Sequence, residues 1–450
     1  MYMLSAQLLR RGHKVIIVTH SHPPDRAGVR WLVPGIKVYH IPFVTIASSA
    51  TLPNYLTFLP YFRTIALRER INIVHGHASL SSLAQEAVLH SHLLGIRTVF
   101  TDHSLFGFDD AASILTNKLL AGALRNVDAV ICVSHTGQVQ LLRSFSVTNL
   151  SNRRENTVLR GALEPEVAHV IPNALIAEQF KPCSEILGTE TITIVVLSRL
   201  AYRKGVDLLV TTIPLICTRF SSVRFLVAGT GPKLVDLLQM CERYQLHDRV
   251  DFIGSVRHTD VRNVLIKGHI YLNTSLTESF GIGILEAACA GLYCVSTRVG
   301  GVPEILPPDM ISFARPEEDD VVRALGEGIR RVQRGAHDPH AAHMRIRSFY
   351  DWAGVAERTE AVYDAAVNAP ERTLWERLVR SRRLGTFAGL IYCCIMIVDC
   401  LFFAFLEWLL PRHQIDYVDI DWDTTKAATY VARERKIQHD LTPHDNSAIE

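Results

Sequence analysis

Short runs of β-branched and aromatic residues alternate with helical patterns along most of the chain, and this alternation constrains the fold more than any other feature. The runs are VIIVTH (15–20), IKVYHIPF (36–43), INIVHGH (71–77), RTVFTDHS (97–104), AVICVSHT (129–136), TITIVVLSRL (191–200), VRFLVAGTG (223–231), VDFIGSV (250–256), HIYLNTS (269–275) and LYCVSTRVGG (292–301). Nearly continuous apolar strands separated by helices are typical of parallel sheets covered on both faces. The sequence therefore predicts an α/β fold with two Rossmann-like, doubly wound domains and a cleft between them.

Breaks in this pattern indicate where the first domain ends. Pro172, Pro182 and Gly188 interrupt the pattern before a new strand begins, and such residues are typical of turns and linkers. We therefore expect domains over 1–175 and 176–369. A long amphipathic helix over 347–367 is expected to return across the junction between them.

One apolar run near the C-terminal end is long enough to cross a membrane. Residues 384–410 exceed the roughly 20 residues that a spanning helix needs, and only Asp399 and Glu407 interrupt them. Five arginines lie in the linker 370–383 before the run, and acidic residues follow it. The positive-inside rule then predicts a single-pass helix with the large N-terminal part in the cytosol and the tail, 411–450, across the membrane. The polar, aperiodic sequence of the tail predicts that it is disordered.

Asp399 is unfavourable inside a membrane, by about 2.5–3.5 kcal/mol on insertion scales. Two interpretations remain open from the sequence. The carboxylate either pairs with a polar group of another membrane protein or lies near the membrane edge.

Composition excludes several classes of protein. Lys and Arg number 47 against 45 Asp and Glu, a formal net charge of +2, so no global field favours a nucleic-acid partner. The nine cysteines form no CxxC pair, so neither a disulfide framework nor a zinc site is suggested. A reducing compartment is expected for the domains.

The segment Glu278-Ser-Phe-Gly-Ile-Gly-Ile-Leu-Glu286 is the most specific candidate site. It follows a predicted strand and opens into a helix that begins near Gly281 or Ile282, where free N–H groups and the helix dipole would stabilise a diphosphate. Glu286 is placed to accept hydrogen bonds from a ribose diol, and Glu278 is placed to reach the hydroxyls of a sugar. Taken alone, the motif is equally compatible with a purely structural role, in which Glu278 caps the helix and Glu286 lies on its solvated face.

Three further candidates follow strand ends. Arg199 and Lys204 come after TITIVVLSRL and are the cations expected around a diphosphate. His103 ends RTVFTDHS beside Asp102, and an imidazole there suits orientation of a hydroxyl or proton transfer. A structural histidine and an uncommitted surface lysine are the alternatives.

These motifs, in this order, resemble a known family. SRL (198–200), RKG (203–205), ESFGIGILE (278–286) and GGVPE (300–304) are similar to the retaining GT-B glycosyltransferases of glycosyltransferase family 4. Within that family, TVFTDHSLFGF (98–108), LTNKLL (115–120), VIPNAL (170–175), YRKGVDLL (202–209) and HIYLNTSLTE (269–278) resemble the PIG-A family, the catalytic subunits of phosphatidylinositol N-acetylglucosaminyltransferases.

The resemblance implies an activity and a location. The expected reaction is transfer of N-acetylglucosamine (GlcNAc) from UDP-GlcNAc to phosphatidylinositol on the cytosolic face of the endoplasmic reticulum, which is the first step of GPI-anchor biosynthesis. Members of the family work with other subunits in a membrane complex. As GT-B enzymes they need no cofactor and no metal ion, since UDP-GlcNAc is a co-substrate.

The resemblance also implies roles for the candidate residues. Residues 1–175 would form the acceptor-side domain and 176–369 the nucleotide-sugar domain. Arg199 and Lys204 would bind the diphosphate with the backbone at Gly281 and Ile282. Glu286 would bind the ribose and Glu278 the donor sugar, with His103 beside the reacting sugar.

The sequence departs from the family pattern at three places. Family members begin with a strand and a glycine loop, whereas this sequence starts inside the expected first helix, so we expect the first sheet to lack a central strand and to expose apolar edges. The polar stretch 138–155 reads as an insertion. At Ile176 the family usually has an aspartate.

Two alternatives therefore remain beside the leading hypothesis. One is a glycosyltransferase of the same family with a different lipid or sugar acceptor, and the other is a catalytically inactive membrane scaffold. Binding of UDP would distinguish the scaffold from either enzyme.

Overall fold

The computed structural model describes residues 1–43, 45–47, 50–51, 53–103, 120–136, 167–183, 188 and 190–418. The predicted insertion at 138–155 and most of the predicted tail lie outside these residues.

The N-terminal half contains two main sheets. Its strands are β1 (Val15–His20), β2 (Gly28–Val33), β3 (Ile36–Ile41), β6 (Ile73–His77), β7 (Arg97–Asp102), β8 (Ala129–Cys132) and β9 (Ala168–Val170), with a short hairpin of β4 (Thr45–Ala47) and β5 (Ala50–Thr51) between them. In the first sheet, β1 pairs in parallel with β3, which also pairs antiparallel with β2. In the second, β6 to β9 are parallel and neighbours in chain order.

Within the described part of the chain, no strand pairing joins these two sheets. Strands β1 and β6 are each only half-buried over most of their length. Helices α1 (Tyr2–Arg10), α2 (Tyr55–Arg68) and α3 (Ser82–Ser91) cover the sheets. Side-chain packing between the helices and both sheets, rather than a continuous backbone ladder, therefore holds this half together.

The C-terminal half is a single parallel sheet of six strands. They are β10 (Ile192–Leu197), β11 (Val223–Ala228), β12 (Val250–Gly254), β13 (Ile270–Asn273), β14 (Tyr293–Thr297) and β15 (Ile311–Ala314). Their order in the sheet is β12-β11-β10-β13-β14-β15. The order reverses between the neighbours β10 and β13, and ligands of open α/β sheets bind beyond the strand ends at such a switch point.

Helices cover both faces of this sheet, as the apolar strands require. They are α4 (Val206–Arg219), α5 (Leu234–Tyr244), α6 (Val261–Leu265), α7 (Ile282–Cys289), α8 (Glu318–Gln333) and α9 (Pro339–Phe349). Helix α10 (Trp352–Asn368) then packs on the N-terminal half, where Val355 and Val362 join a core with Val99 and Ile131.

The predicted single helix over 347–367 is wrong in one respect. The chain breaks between α9 and α10 because the Asp351 side chain caps the new helix by accepting a hydrogen bond from the Gly354 N–H. An N-cap aspartate satisfies an N–H that otherwise has no helical partner.

The apolar run forms helix α12 (Thr386–Leu409), preceded by α11 (Leu374–Arg382). By length and composition, α12 is the one helix in the described residues that could cross a membrane. Asp399, expected either to pair with another protein or to lie near the membrane edge, instead faces His90 of this chain. Its Oδ2 lies 2.9 Å from Nδ1 of His90, and both side chains are fully buried.

Candidate active site

The switch point between β10 and β13 brings two candidate residues together. The loop after β10 carries Lys204 and the loop after β13 carries Glu278, and the Lys204 Nζ donates a hydrogen bond to Oε2 of Glu278 over 2.5 Å. Backbone contacts join the loops further, since the Leu276 N–H donates to the Arg203 carbonyl over 2.9 Å. Parallel strands that end at the same sheet edge place these side chains in one site.

Gly205 lets the two loops approach this closely. Its φ is +67°, in the left-handed region, and a Cβ at this position would lie 1.9 Å from the carbonyl oxygen of Thr274. Both the backbone angle and the lack of space require glycine. The RKG motif therefore fixes the position of Lys204 through the glycine that follows it.

Helix α7 forms the next part of the site. Gly281 precedes the helix with a φ of +89°, and Ile282 is its first residue, as the sequence predicts. The Ile284 N–H donates to the Gly281 carbonyl over 3.0 Å, which leaves the N–H groups before it at the start of the helix without helical partners. Glu278 lies beside them, because a Cβ on Gly281 would be 3.3 Å from Cγ of Glu278.

Glu286 lies one turn into α7 and is almost fully buried. Burial raises the pKa of its carboxyl group, and His258, whose Nε2 lies 3.6 Å from Oε1, lowers it in part. Within the described part of the chain, His258 is its one side-chain partner, so the buried carboxylate retains capacity to accept hydrogen bonds from a ligand.

Arg199 lies two residues beyond the end of β10. It follows β10 and is exposed, and within the described residues its guanidinium has no side-chain hydrogen bond or ion pair. The structure thus brings Lys204, Glu278, Gly281, Ile282 and Glu286 together along one edge and leaves Arg199 near the end of the same strand.

The N-terminal half presents a row of histidines at the ends of β6 and β7. The ring centroids of His75 and His77 are 4.2 Å apart, and those of His77 and His103 are 5.7 Å apart, with the planes nearly parallel in both pairs. Nδ1 of His77 lies 3.4 Å from Nε2 of His103. We call these three residues the histidine row.

Loss of hydration lowers the pKa of every member of the histidine row. The pKa of His75 falls to about 3, and that of His77 lies well below its ordinary value, first through burial and then through its neighbours. The pKa of His103 is lowered in the same direction by partial desolvation. These imidazoles are therefore neutral at neutral pH.

His75 and Asp102 are held by other groups. The two ring nitrogens of His75 lie 2.7 Å from the Tyr363 hydroxyl and 2.6 Å from Oγ1 of Thr101. Asp102 accepts a hydrogen bond from the Ser79 hydroxyl. The ring of His77, which the sequence did not single out, lies beside His103.

The two halves meet at these strand ends. The Ser279 hydroxyl donates a hydrogen bond to the His103 carbonyl over 2.6 Å. Glu304 accepts from the backbone N–H groups of His135 and Thr136 over 2.7 and 2.9 Å. A Cβ on Gly301 would lie 2.8 Å from the Ser134 side chain of the N-terminal half, so glycine permits the two halves to approach closely.

Sequence reasoning missed His77, Ser279 and Glu304 as parts of this site. Each was visible, since His77 ends the strand motif INIVHGH, Ser279 follows Glu278, and Glu304 ends GGVPE. Only contact across the two halves distinguishes them from other polar residues. No group of three or more potential metal ligands occurs in the described part of the chain.

Comparison with known proteins identifies the family. A family model described as PIGA (GPI anchor biosynthesis) matches residues 20–110, and one described as glycosyl transferases group 1 matches residues 191–333. The chain is 48% identical to the phosphatidylinositol N-acetylglucosaminyltransferase gpi3 subunit of Schizosaccharomyces pombe, over 92% of this chain and 87% of that protein. The chain belongs to this family of transferase subunits.

Other members of the same transferase family match over a similar length. Identity to the corresponding subunit of phosphatidylinositol N-acetylglucosaminyltransferase is 47% for Arabidopsis thaliana and 44% for Homo sapiens, each over 92% of this chain and over 89% and 82% of those proteins. The predicted family is therefore confirmed.

Solved structures with the same fold are glycosyltransferases of GT-B architecture. Sucrose-phosphate synthase from Thermosynechococcus elongatus superposes with a TM-score of 0.61 at 17% identity, covering 80% of this chain and 91% of that one. Anabaena HepE in complex with UDP gives a TM-score of 0.60 at 16% identity, covering 78% and 100%. The transferase subunit thus has the predicted GT-B fold.

Proposed function

We propose that the chain transfers GlcNAc from UDP-GlcNAc to phosphatidylinositol with retention of configuration, as the first step of GPI-anchor biosynthesis. The names of its relatives support the reaction and the acceptor, and the UDP complex of HepE supports the nucleotide. The single observation that carries the proposal is the Lys204–Glu278 pair at the switch point, which the Ser279–His103 hydrogen bond joins to the opposite half.

The proposed donor site lies on the C-terminal half, within the domain that we assign to 176–369. Lys204, Arg199 and the first-turn N–H groups at Gly281 and Ile282 supply positive charge to the diphosphate. Because negative charge grows on the departing UDP in the transition state, fixed donors here stabilise it more than the bound substrate. Side-chain and helix charges take this role, so the proposal includes no metal ion.

Two carboxylates position the rest of the donor. Glu286 accepts hydrogen bonds from the ribose hydroxyls. Its oxygens are available because the carboxylate is buried and, among the residues that the structure describes, only His258 meets it. Glu278, held by Lys204, accepts from hydroxyls of the transferred sugar. The ion pair fixes the orientation of both side chains, which limits the entropy lost when the sugar binds.

The proposed acceptor side lies on the N-terminal half, over 1–175. A neutral imidazole at His103 can donate one hydrogen bond and accept another, which suits a site where two uncharged hydroxyl groups meet. His77 holds that ring by stacking and by the close approach of its Nδ1. The positioned ring then orients the reacting sugar and acceptor hydroxyl.

The proposed location is the endoplasmic reticulum membrane with the sheets on the cytosolic side. The transferase is proposed to work with the other subunits of the complex that its relatives' names imply. The flanking charges favour a spanning α12 with the residues after 410 in the lumen.

The test is incorporation of labelled GlcNAc into phosphatidylinositol in membranes from cells that lack their own catalytic subunit. Cells expressing this chain should form labelled GlcNAc-phosphatidylinositol, and cells expressing Lys204→Met should form far less. Label in a different lipid would overturn the acceptor. Failure of the chain to bind UDP would instead indicate an inactive scaffold.

A further inference from the structure

Arginines are concentrated where α11 packs on the N-terminal half, directly before the apolar helix α12. The Nε groups of Arg125 and Arg380 each donate a hydrogen bond to the other residue's carbonyl, over 2.8 and 3.2 Å. Nη1 of Arg372 and Nη1 of Arg377 both donate to the Asn126 carbonyl, over 3.5 and 3.3 Å. What we call the arginine cluster consists of these four arginines with two others, and its members are Arg97, Arg125, Arg372, Arg377, Arg380 and Arg383.

One buried carboxylate serves two members of the arginine cluster. Oδ1 of Asp128 lies 3.8 Å from Nη1 of Arg97 and 3.4 Å from Nη1 of Arg372. The other hydrogen bonds given above go to backbone carbonyls. A carbonyl accepts from a guanidinium but brings no net negative charge, so these bonds hold the side chains in place without neutralising them.

Three members of the cluster have no carboxylate within ion-pair distance among the residues that the structure describes, namely Arg125, Arg377 and Arg383. Arg125 lies deepest, at 5% exposure, and its buried Nη1 has no hydrogen-bond partner in the same part of the chain. Burial, and then the charges of Arg380 and Arg383, lowers the pKa of Arg125 to about 10. Like charges brought together and partly removed from water are unfavourable without a counter-ion, so the cluster favours an anion beside it.

The cluster lies at the opposite edge of the N-terminal sheet from the proposed active site. Arg97 is the first residue of β7, and His103 directly follows the last. Asp128 likewise comes directly before β8. Because β7 has six residues, its two ends are about 20 Å apart. An anion bound at the cluster is therefore too far from His103 to be the phosphate of the reacting lipid or of the sugar donor.

Helix α11 brings the cluster to the level of the lipid headgroups. Only residues 383–385 separate α11 from the spanning helix α12. The side of α11 away from the N-terminal half exposes Leu374, Trp375 and Val379, with Trp375 at 73% exposure. An exposed tryptophan beside apolar and basic residues is typical of a helix at the membrane interface. The anions at this level are the phosphates of the cytosolic leaflet.

We propose that the arginine cluster binds the phosphate of an anionic phospholipid of the cytosolic leaflet, at a site separate from the catalytic cleft. The proposal rests on the spanning α12 and adds a second lipid to the proposed reaction. Arg377 and Arg383 contact the phosphate, since a guanidinium can donate two parallel hydrogen bonds to its oxygens. Arg125 supplies buried positive charge behind them. The bound headgroup neutralises the cluster and holds the N-terminal half in a fixed orientation on the membrane.

Lipid binding tests the proposal without any use of transferase activity. The full chain, with the subunits that co-purify with it, is placed in nanodiscs of phosphatidylcholine with a minority of phosphatidylserine, because phosphatidylinositol is the proposed acceptor. Native mass spectrometry then counts the lipids that each chain retains. We expect a preference for phosphatidylserine of about tenfold, from two charge-assisted contacts. Arg377→Gln combined with Arg383→Gln should abolish that preference.

Two further variants keep this result interpretable. Arg383→Gln alone changes only an exposed side chain, so it should fold normally and still lose part of the preference. Arg219→Gln combined with Arg334→Gln is the matched control, because both arginines are exposed on the C-terminal half and, in the described part of the chain, form no ion pair. The control should retain the full preference. An equal loss in the control, or no preference in the unaltered chain, would overturn the proposal.

Thermal unfolding distinguishes a lipid headgroup from a free phosphate. Phosphatidylserine should raise the unfolding midpoint of the unaltered chain in nanodiscs, since a ligand that binds only the folded state stabilises it, and should leave the midpoint of the double variant unchanged. Millimolar inorganic phosphate in phosphatidylcholine nanodiscs should have no effect. Equal stabilisation by inorganic phosphate would overturn lipid as the ligand. Separation of the chain from the nanodiscs would overturn the membrane location as well, whereas a chain that stays without a preference overturns this proposal alone.

Discussion

The two walls of the proposed active site use opposite kinds of polar group. The C-terminal wall carries charged groups, with Lys204 bound to Glu278 and with Glu286 on α7. The N-terminal wall carries the histidine row, whose members all have lowered pKa values. One wall is built of ions and the other of neutral rings.

This difference follows from the groups that each wall is proposed to face. A diphosphate brings its own charge, so cations and helix N–H groups gain from burial beside it. Hydroxyl groups bring none, and stacking three imidazoles is favourable only while they stay neutral, since neighbouring charges would repel each other. The contrast predicts that variants of the two walls fail in different ways.

The largest effect is expected at Gly205, which positions the charged wall. Gly205→Ala places a Cβ against the Thr274 carbonyl and strains a φ of +67°, and we expect a loss of at least about 3 kcal/mol in the free energy of unfolding together with most activity. Thermal unfolding in detergent and the GlcNAc assay measure both. Gly254→Ala has a similar φ of +77° but open space, so it should lose only about 1–2 kcal/mol. Equal losses would contradict the steric argument.

Removing the charge at Lys204 should come next. Lys204→Met is expected to lower kcat/KM for UDP-GlcNAc by about 100-fold, because it removes a fixed donor to the leaving group. Arg323→Met is the matched control, since Arg323 also pairs with carboxylates, those of Asp320 and Glu327, but on the exposed surface of α8. Activity of the Lys204 variant equal to that of the control would remove Lys204 from the donor site.

Glu286→Gln should raise the KM for UDP-GlcNAc by about 10- to 100-fold, since a hydrogen bond to a charged group contributes about 1.5–3 kcal/mol. Glu242→Gln offers a matched glutamate beside a histidine, with Nε2 of His247 3.1 Å from Glu242 on an exposed surface. That variant should leave KM unchanged. An unaltered KM for Glu286→Gln would exclude the ribose contact.

Acid should destabilise the N-terminal wall, which carries the histidine row. His75 has a pKa of about 3 in the folded protein and about 6.5 when unfolded. Below pH 6.5 the unfolded chain therefore binds more protons than the folded one, and the free energy of unfolding decreases as the pH is lowered. Between pH 6.5 and 5.5 this group alone should remove about 1 kcal/mol. Unfolding midpoints in denaturant across this range measure the slope, which should be smaller in His75→Asn.

The charged wall should respond to pH in the opposite direction. Because the pKa of Glu286 is raised in the folded protein, the folded state binds the proton more readily, and this contribution to stability is lost as pH rises through that pKa. Comparing how the stability of Glu286→Gln and of His75→Asn depends on pH therefore distinguishes the contributions of the two walls. Parallel pH slopes for the two variants would contradict the distinction.

The smallest effect is expected where the walls touch. Ser279→Ala removes one hydrogen bond, to the His103 carbonyl, which corresponds to about 1 kcal/mol or about fivefold in kcat/KM. Ser348→Ala, whose hydroxyl donates to the Arg345 carbonyl within α9 over 2.7 Å, should not alter activity. An unchanged kcat/KM in Ser279→Ala would show that this contact does not align the walls.

Local patterns in the sequence were sufficient for much of the fold. The strands of the main sheets were visible as apolar runs, and the start of α7 was visible from a glycine before a helical stretch. Strands β9 and β15 were missed because they have only three and four residues, and β2 was missed because it is mostly exposed and so lacks an apolar run. The break at Asp351 was missed because helical periodicity continues through it, and a single capping side chain decides the boundary.

By itself, the sequence determined the two α/β halves, the family, the apolar helix and the candidate residues that follow strand ends, because each depends on a pattern within a few turns of chain. Only the tertiary structure decided which of those residues meet. His77 and His103, which stack, are 26 positions apart, and Ser279 and His103, which share a hydrogen bond, are 176 apart. The backbone contacts of Glu304 reach 168 and 169 positions along the chain, and the His90–Asp399 pair spans more than 300. Such contacts depend on how strand ends and helix faces pack, which local periodicity does not specify.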